Sequence, residues 1–217
     1  MRLDIAGRDV DYRLEQLLRQ GRRTPLPASL LDDRAALEEL VHDIKLRHAH
    51  VAPPSPAFFT LSGATYRAHR VDEDAAAVSY ALPDGTVLRL GGELSDCMEG
   101  LFDPSVVGFS APGMADTLYS AIMRTDADLP RDRMFANVVL SGGTTTCRGF
   151  AERLHAELVR LAPPSARIKV VQPAEKGMCA NWAGGAQLAS LPAFEPMWIT
   201  RSEYDEEGPR TVHRKCY

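Results

Sequence analysis

The feature that most constrains the fold is a short apolar run that two glycines follow almost at once. Residues 137–140 form a run whose last three members are apolar, and Gly142 and Gly143 come after a single serine. Residues 150–161 then show apolar side chains at helical spacing, and residues 168–171 form a second strand-like run. A strand, a glycine loop, a helix and a strand in this order predict a βαβ unit with a parallel sheet.

Two helices are predicted near the start of the chain. Residues 8–19 carry apolar side chains at helical spacing, and Gly21 is placed where it can end that helix. Asp32 or Asp33 can cap a second helix, on which residues 36–44 present one apolar face. Each pattern predicts an amphipathic helix that packs one side against a core.

The other segments predict a hairpin, two irregular stretches and a helical end. Residues 78–82 and 86–90 flank Pro-Asp-Gly, a combination typical of a tight turn between strands. Residues 51–77 have little periodicity and several prolines, which indicates a long loop or an insertion. Residues 101–113 are apolar but interrupted by Pro and Gly, so we expect a loop that something must cover. Residues 181–217 are expected to form short helices with two tryptophans as packing residues.

Charge, hydropathy and cysteine spacing argue against several functional classes. The formal net charge is −4 and the Lys and Arg residues are scattered, so we expect no nucleic-acid partner. No apolar run approaches the roughly 18 residues that a membrane span needs, and residues 1–5 do not begin a signal peptide. We therefore expect no membrane contact and a cytoplasmic location. The four cysteines lack CxxC spacing, and three neighbouring histidines lack suitable partner ligands, so we expect reduced thiols and no metal.

The glycine loop is the strongest candidate for a binding site, although its pattern is not specific. Two glycines after a buried strand let the backbone approach a ligand closely, but a tight turn without a ligand is the commoner explanation. The loop matches neither the P-loop nor the dinucleotide pattern, and the residues around Ser141 do not match GxSxG, so we expect no nucleophile there. His42 and Lys45 fall close together on the second predicted helix and could face one ligand.

Several separate motifs resemble the actin family, in the order in which that family carries them. Residues 137–145 look like the second adenosine-contacting loop of actins, and residues 197–217 are similar to the actin carboxyl terminus almost residue for residue. Residues 3–9, 80–85 and 182–185 resemble further stretches of the family. The resemblance covers essentially the whole chain apart from its proline-rich stretch, and by it the chain is identified as a divergent member of the actin family.

The resemblance implies an α/β fold, namely the carboxyl-terminal portion of the actin (ribonuclease H-like ATPase) fold, with a mixed sheet and flanking helices. It divides the chain into a helical and hairpin subdomain over 1–107, like actin subdomain 4, and a βαβ subdomain over 108–180, like subdomain 3. Residues 181–217 resemble the end of actin subdomain 1. The amino-terminal half of the family has no counterpart here, so the resemblance implies that strand 138–140 loses sheet neighbours on one side.

The missing neighbours have an energetic consequence. Each large apolar residue left uncovered forgoes roughly 1.5–3 kcal/mol of burial. The net stability of a protein is only about 5–15 kcal/mol. We therefore expect a marginally stable monomer with exposed apolar patches, stabilised by a partner or by a missing segment.

The resemblance also assigns a nucleotide pocket that has changed in several places. The residues that it places around adenosine are His42, Lys45, Gly142, Gly143, Thr144 and Lys176. His42 stands where actins carry an arginine, and Leu46 stands where they carry a glutamate. Thr146 and Cys147 replace a Met-Tyr pair that shelters the base. Of the compared positions on the second predicted helix only Lys45 keeps its residue type, so we expect the pocket to bind adenine weakly, if at all.

The function implied by the resemblance is contact with other proteins. The phosphate loops and metal-positioning carboxylates of the family lie in its amino-terminal portion, so we expect no ATPase activity and no cofactor. The alternative is weak ATP or ADP binding, with Mg²⁺ supplied by a missing segment. Phe102, Val106 and Val107 lie in a stretch similar to the plug loop of actin filaments and are expected to contact a partner.

The resemblance thus implies an actin-like structural or interaction protein of the cytoskeleton, with actin or actin-binding proteins as candidate partners. Three alternatives stay open: an ATP-binding actin-fold protein seen as a fragment, an actin-related subunit of a nuclear complex, and another member of the superfamily that includes sugar kinases.

Overall fold

The structure is a computed structural model that describes residues 1–21, 23–53, 77–126, 128–172 and 177–216. Most of the predicted irregular segment 51–77 lies outside these residues, and so does Lys176 of the predicted nucleotide pocket. Helices, one antiparallel hairpin and one parallel strand pair make up the described part of the chain. This mixture of helix and strand fits an α/β fold.

The first unit is a pair of amphipathic helices that match the predictions. Helix α1 spans Gly7–Arg19, a short α2 spans Ala28–Asp32, and α3 spans Arg34–His48. Asp33 caps α3 because its side chain accepts a hydrogen bond of 3.1 Å from the Ala36 N–H. The apolar faces of α1 and α3 pack against each other, and their buried aliphatic residues are Val10, Leu14, Leu17, Leu18, Leu37, Leu40, Val41 and Ile44.

The predicted hairpin is confirmed. Strand β1 spans Val78–Ala81 and β2 spans Val87–Leu90, and they pair antiparallel. Gly85 occupies the turn with φ of +85°, a value that glycine adopts without steric cost. Leu88 and Leu90 point into the core, whereas the alternate residues of β2 are exposed.

Short helical segments connect the hairpin to the parallel strand pair. They are α4 (Glu93–Asp96), two 3₁₀ turns (Glu99–Leu101 and Pro104–Val107), α5 (Met114–Met123) and α6 (Arg131–Phe135). The segment 101–113, which the sequence predicts to be an uncovered apolar loop, is therefore partly helical. Its first two side chains are buried, because Phe102 packs against Phe150 with ring centroids 5.5 Å apart.

The predicted βαβ unit is present, but its sheet is narrow. Strand β3 spans Val138–Val139, α7 spans Phe150–Leu161, and β4 spans Val170–Val171 parallel to β3. The sequence predicts a strand buried on both faces, and this is wrong for Val139, whose side chain is 64% exposed. Val138 is buried on one face of the strand and Val139 is exposed on the other, and within the described residues β3 pairs only with β4.

The carboxyl-terminal segment is helical, as predicted, but its tryptophans do not pack as expected. It contains α8 (Ala180–Ala189), a 3₁₀ turn (Pro192–Met197), α9 (Arg201–Glu207), a second 3₁₀ turn (Gly208–Arg210) and α10 (Thr211–Lys215). Trp182 is 78% exposed and Trp198 is 52% exposed. Trp198 contacts the Phe194 ring, at a centroid distance of 5.1 Å, and Trp182 extends into solvent.

The buried core explains this difference. One cluster of buried side chains extends from Ile5 to Leu158 and includes residues from both the 1–107 and the 108–180 segments. A small satellite cluster surrounds Phe135. Among the described residues, the segment 180–216 contributes no apolar side chain to either cluster. The large side chains of this segment therefore remain at the surface.

Candidate functional site

Lys45 lies at the centre of the candidate nucleotide site and is already neutralised by the protein. It projects from α3 toward α1, where its ammonium lies 2.7 Å from Oδ1 and 2.8 Å from Oδ2 of Asp11. The same ammonium donates a hydrogen bond of 3.0 Å to the Gly7 carbonyl. The Lys45 side chain is only 15% exposed. The ammonium thus donates hydrogen bonds to Asp11 and to a backbone carbonyl, and its charge is paired with the Asp11 carboxylate.

His42 lies one helical turn before Lys45 and faces the same carboxylate. Its Nδ1 is 3.4 Å from Oδ2 of Asp11, and its side chain is 56% exposed. His42 and Lys45 thus face one group, but that group is Asp11 of the same chain, and a ligand shared by the two side chains stays a prediction. The role of Asp11 could not be predicted from the sequence, because it is 34 residues away from Lys45 and carries no motif.

The glycine loop approaches this pair of helices from the βαβ unit. A Cβ placed on Gly7 would lie 3.1 Å from Oγ1 of Thr144 and 3.6 Å from Nζ of Lys45. A glycine at this position leaves room for α1 and the loop to approach each other. The structure therefore places Lys45 and Thr144 close to Gly7, while His42 contacts Asp11; that these residues bind a nucleotide stays a prediction.

Gly142 and Gly143 form the turn that directs this loop. Gly142 has φ of +98° and ψ of +156°, a conformation that is essentially restricted to glycine. Gly143 begins a 3₁₀ turn over Gly143–Thr146, which two hydroxyls stabilise. Oγ1 of Thr145 donates to the Gly142 carbonyl at 2.8 Å, and Oγ1 of Thr146 donates to the Gly143 carbonyl at 2.6 Å. The loop is thus held in shape without a ligand.

A second segment closes the loop from the other side. The Gly142 N–H donates to the Gly177 carbonyl at 2.9 Å, and Oγ of Ser141 donates to Oδ1 of Asn181 at 2.7 Å. The Met178 side chain would lie 3.7 Å from a Cβ on Gly143 and is itself 61% exposed. Met178 therefore gives this side of the site an exposed apolar surface, against which a flat ligand could pack.

Cys147, which stands in place of an aromatic residue of the family, is not a reactive group. Its Sγ donates to the Ala49 carbonyl at 3.3 Å, and burial raises the pKa of the Cys147 thiol to about 11. Burial also raises the pKa of the Cys97 thiol. Because the thiolate is the reactive form, both side chains act as small apolar residues rather than as nucleophiles.

Charge in the site does not favour a polyphosphate. Among the described residues, the ammonium beside the glycine loop is that of Lys45, and it is held by Asp11, whose carboxylate would repel a phosphate group at short range. A groove of about 630 Å³ lies between α1 and α3, and Arg8, Glu15 and His42 are among the residues that line it. That groove also contains Glu38 and Glu39, so its acidic side chains outnumber its basic ones.

The predicted partner-contact residues divide into two groups. Phe102 is 3% exposed, so in this structure its side chain lies in the core and not on a contact surface. Val106 and Val107 are half-buried on the 3₁₀ turn Pro104–Val107, and Val107 packs against Gly100. The exposed end of this segment is Phe109, which is 45% exposed. It follows Gly108, whose backbone adopts a left-handed conformation with φ of +84°.

A buried ion cluster, which sequence reasoning missed, connects this segment to α7. Arg153 is 1% exposed and donates from Nη1 and Nη2 to the two carboxylate oxygens of Glu99, at 3.0 and 3.1 Å. Its Nε donates to Glu157 at 2.6 Å, and its guanidinium lies 4.8 Å from the centre of the Phe102 ring. One signal was visible: Arg153 stands directly before Leu154, at the edge of the apolar face of α7.

Comparison with known families places these observations in context. A family model described as Actin matches residues 1–217, the full length of the chain. In the part of the chain that the structure describes, no helix is long and apolar enough to cross a membrane. Among the same residues, no group of three or more His, Cys, Asp or Glu side chains is arranged to hold a metal ion.

Proposed function

The chain belongs to the actin family, and from this premise we propose that it acts as a structural or interaction protein of the cytoskeleton, without ATPase activity of its own. We propose that within the family it is an actin-like protein of the divergent, testis type, similar to actin-like protein 10. We propose a cytoplasmic location and binding to actin or to actin-binding proteins.

One observation supports the proposal: in the part of the chain that the structure describes, the cation of the predicted pocket is already paired within the protein. Lys45 keeps the residue type that the resemblance assigns to its position, and its ammonium binds Asp11 and the Gly7 carbonyl. A phosphate or an adenine nitrogen would have to displace Asp11, leaving a partly buried carboxylate unpaired. Such a displacement costs free energy because the carboxylate loses its cation. The contact of Asp11 with the half-exposed His42 does not compensate for this cost.

One observation favours the alternative of weak ATP or ADP binding. Lys45, Thr144 and the glycine loop do converge at the start of α1, and Gly142 keeps a conformation that lets its backbone approach a ligand. The cleft is thus present in outline. In this alternative, a further polypeptide segment would supply Mg²⁺ and the contacts to the phosphates.

Calorimetric titration of the chain with Mg-ATP, together with a phosphate-release assay, tests the first half of the proposal. We expect no saturable binding at micromolar ATP and no phosphate release above the buffer rate. The variant Asp11→Asn should strengthen any weak binding, because it frees the Lys45 ammonium without changing the size of the side chain. Micromolar affinity of the unmodified chain, or steady phosphate release, would establish the alternative.

Co-sedimentation with actin filaments tests the second half. We expect the chain to pellet with filaments in a saturable manner, and Val106→Asp to weaken this association by placing a charge on the proposed contact turn. The matched control is Val159→Asp, since Val159 is 54% exposed on α7 and away from that turn. The interaction with actin is refuted if the chain stays in the supernatant at every filament concentration. If the parent binds and Val106→Asp binds equally well, the contact turn is refuted and the interaction stands.

A further inference from the structure

The contact turn Pro104–Val107 has little structural support of its own. It is a single 3₁₀ turn of four residues, and 3₁₀ hydrogen bonds have poorer geometry than those of an α-helix. The Gly108 N–H donates to the Ser105 carbonyl at 3.1 Å. The Phe109 N–H donates to the Pro104 carbonyl at 3.0 Å, and the next residues of the chain are exposed. The conformation of the turn therefore depends on how its two ends are attached.

The first end is attached to Glu99 through the backbone. The Phe102 N–H and the Asp103 N–H both donate to the Glu99 carbonyl, at 2.9 and 2.7 Å. Asp103 then caps the turn, because its Oδ1 accepts a hydrogen bond of 3.1 Å from the Ser105 N–H. Two consecutive hydrogen-bonded steps thus connect Glu99 to the first residues of the contact turn.

The Glu99 side chain is in turn fixed by Arg153 of α7. Its two carboxylate oxygens accept hydrogen bonds from Nη1 and Nη2 of Arg153 at 3.0 and 3.1 Å, and Arg153 is 1% exposed. The same guanidinium donates from Nε to Glu157 at 2.6 Å and from Nη1 to the Ala52 carbonyl at 3.1 Å. Glu99 cannot move away without leaving buried charges unpaired, which is strongly unfavourable.

The other end of the segment returns to the same cluster. A Cβ placed on Gly113 would lie 1.9 Å from the Phe102 carbonyl oxygen, so the two backbones are in close contact. The centre of the Phe102 ring lies 4.8 Å from Cζ of Arg153 and 5.5 Å from the centre of the Phe150 ring. The ion cluster therefore lies where the stretch that carries the contact turn begins and where it ends.

We propose that Arg153 is a positioning residue for the partner contact: through Glu99, it keeps the contact turn in the conformation that binds the partner. The inference rests on the proposed function and adds the residue that controls its contact site. Because Arg153 is 1% exposed, its effect has to pass through Glu99 and the turn rather than through the partner directly. The planar guanidinium suits this role, since it makes two parallel hydrogen bonds to one carboxylate.

Hydrogen exchange of the Gly108 and Phe109 amides tests the effect on the turn without any partner. Arg153→Lys keeps the charge but cannot make the paired hydrogen bonds to Glu99. Glu99→Gln removes the carboxylate at almost unchanged size, and it serves if Arg153→Lys perturbs folding. We expect both variants to speed exchange of these two amides by at least about tenfold relative to the amides of α3, since anchoring hydrogen bonds are lost.

Co-sedimentation with actin filaments tests the effect on the partner contact. We expect Arg153→Lys and Glu99→Gln to bind at least about tenfold more weakly than the parent, although both substituted residues are buried. The matched control is Leu14→Ala, because Leu14 is fully buried on α1 and lies outside the ion cluster. This control lowers the stability of the fold but should leave the exchange of the turn and the filament affinity unchanged.

The inference is overturned if both cluster variants keep either the exchange rates or the filament affinity of the parent. It is also overturned if Leu14→Ala weakens filament binding as much as they do, since loss of stability alone would then explain the effect. In each of these cases the parent still binds filaments, so the proposed function stands. If the parent does not bind filaments, the proposed function fails, and this inference fails with it.

Discussion

Replacing Arg153 by Met should destabilise the fold more than any change of a surface ion pair. The Arg153 side chain is 1% exposed and makes bidentate hydrogen bonds to Glu99, a 2.6 Å bond to Glu157 and a 3.1 Å bond to the Ala52 carbonyl. The variant Arg153→Met keeps most of the stem volume but leaves two buried carboxylates without their cation. Breaking a buried ion pair in this way costs about 3–5 kcal/mol, a large part of a typical stability of about 5–15 kcal/mol.

Urea unfolding followed by circular dichroism measures this loss. With a slope of about 2 kcal/mol per molar urea, a loss of about 4 kcal/mol lowers the midpoint by about 2 M. The matched control is Arg34→Met, because Arg34 pairs with Glu38 on the surface, where both side chains are more than half exposed. Exposed pairs of this kind contribute about 0–1 kcal/mol. If both variants shift the midpoint equally, then the buried cluster does not contribute to stability as proposed.

The loss should also depend on pH. Burial raises the pKa of Glu157 above its ordinary value, although Arg153 opposes this effect. The folded state therefore binds the Glu157 proton more tightly than the unfolded state does. Keeping Glu157 ionised lowers the stability of the folded state above the folded pKa, and protonation removes this cost as pH falls below that pKa. Without Arg153 that pKa rises further, so Arg153→Met should cost less at about pH 5 than at about pH 7. A cost that is the same at both pH values would refute this reasoning.

Three further predictions concern glycine packing, thiol reactivity and a surface carboxylate. Gly113→Ala should lower the melting temperature strongly, because the added Cβ would lie 1.9 Å from a backbone carbonyl oxygen. The control Gly184→Ala should be neutral or stabilising, because its Cβ would have no atom within 4 Å. Cys147, whose pKa burial raises to about 11, should react with a thiol reagent far more slowly at neutral pH than the exposed Cys179; equal rates would contradict this. A hydrogen bond from the Lys215 ammonium lowers the pKa of Glu203 to about 2. The stability that ionised Glu203 contributes should therefore be lost as pH falls from about 4.5 through about 2. NMR titration of this carboxyl group should show a midpoint near pH 2, the value of its pKa.

Local patterns in the sequence were sufficient to predict most of the helices and both strand pairs. The α3 helix is an example, because Asp33 and the apolar spacing after it depend only on residues within one helix. The hairpin is another, since its turn chemistry lies within three residues.

Contacts between distant residues were not predictable in this way. The Arg153–Glu99 pair joins residues 54 positions apart, and no local pattern selects one glutamate among many as its partner. The Lys45–Asp11 pair is similar, at a separation of 34. Burial of large residues depends in the same way on what lies opposite, which is why Phe102 is buried and Trp182 is exposed.

The positions of charge and of apolar surface point to the same function. Among the described residues of the predicted cleft, the Lys45 ammonium is paired with Asp11 of its own chain, which disfavours a phosphate there. Binding a protein needs apolar surface that the fold does not cover itself, and the structure has this at the free edge of β3 and on the carboxyl-terminal helices. Because uncovered apolar surface lowers the stability of the isolated chain, a partner that covers it would stabilise the folded state in proportion to how tightly it binds. The features that weaken the chain alone are therefore those that favour its association with another protein.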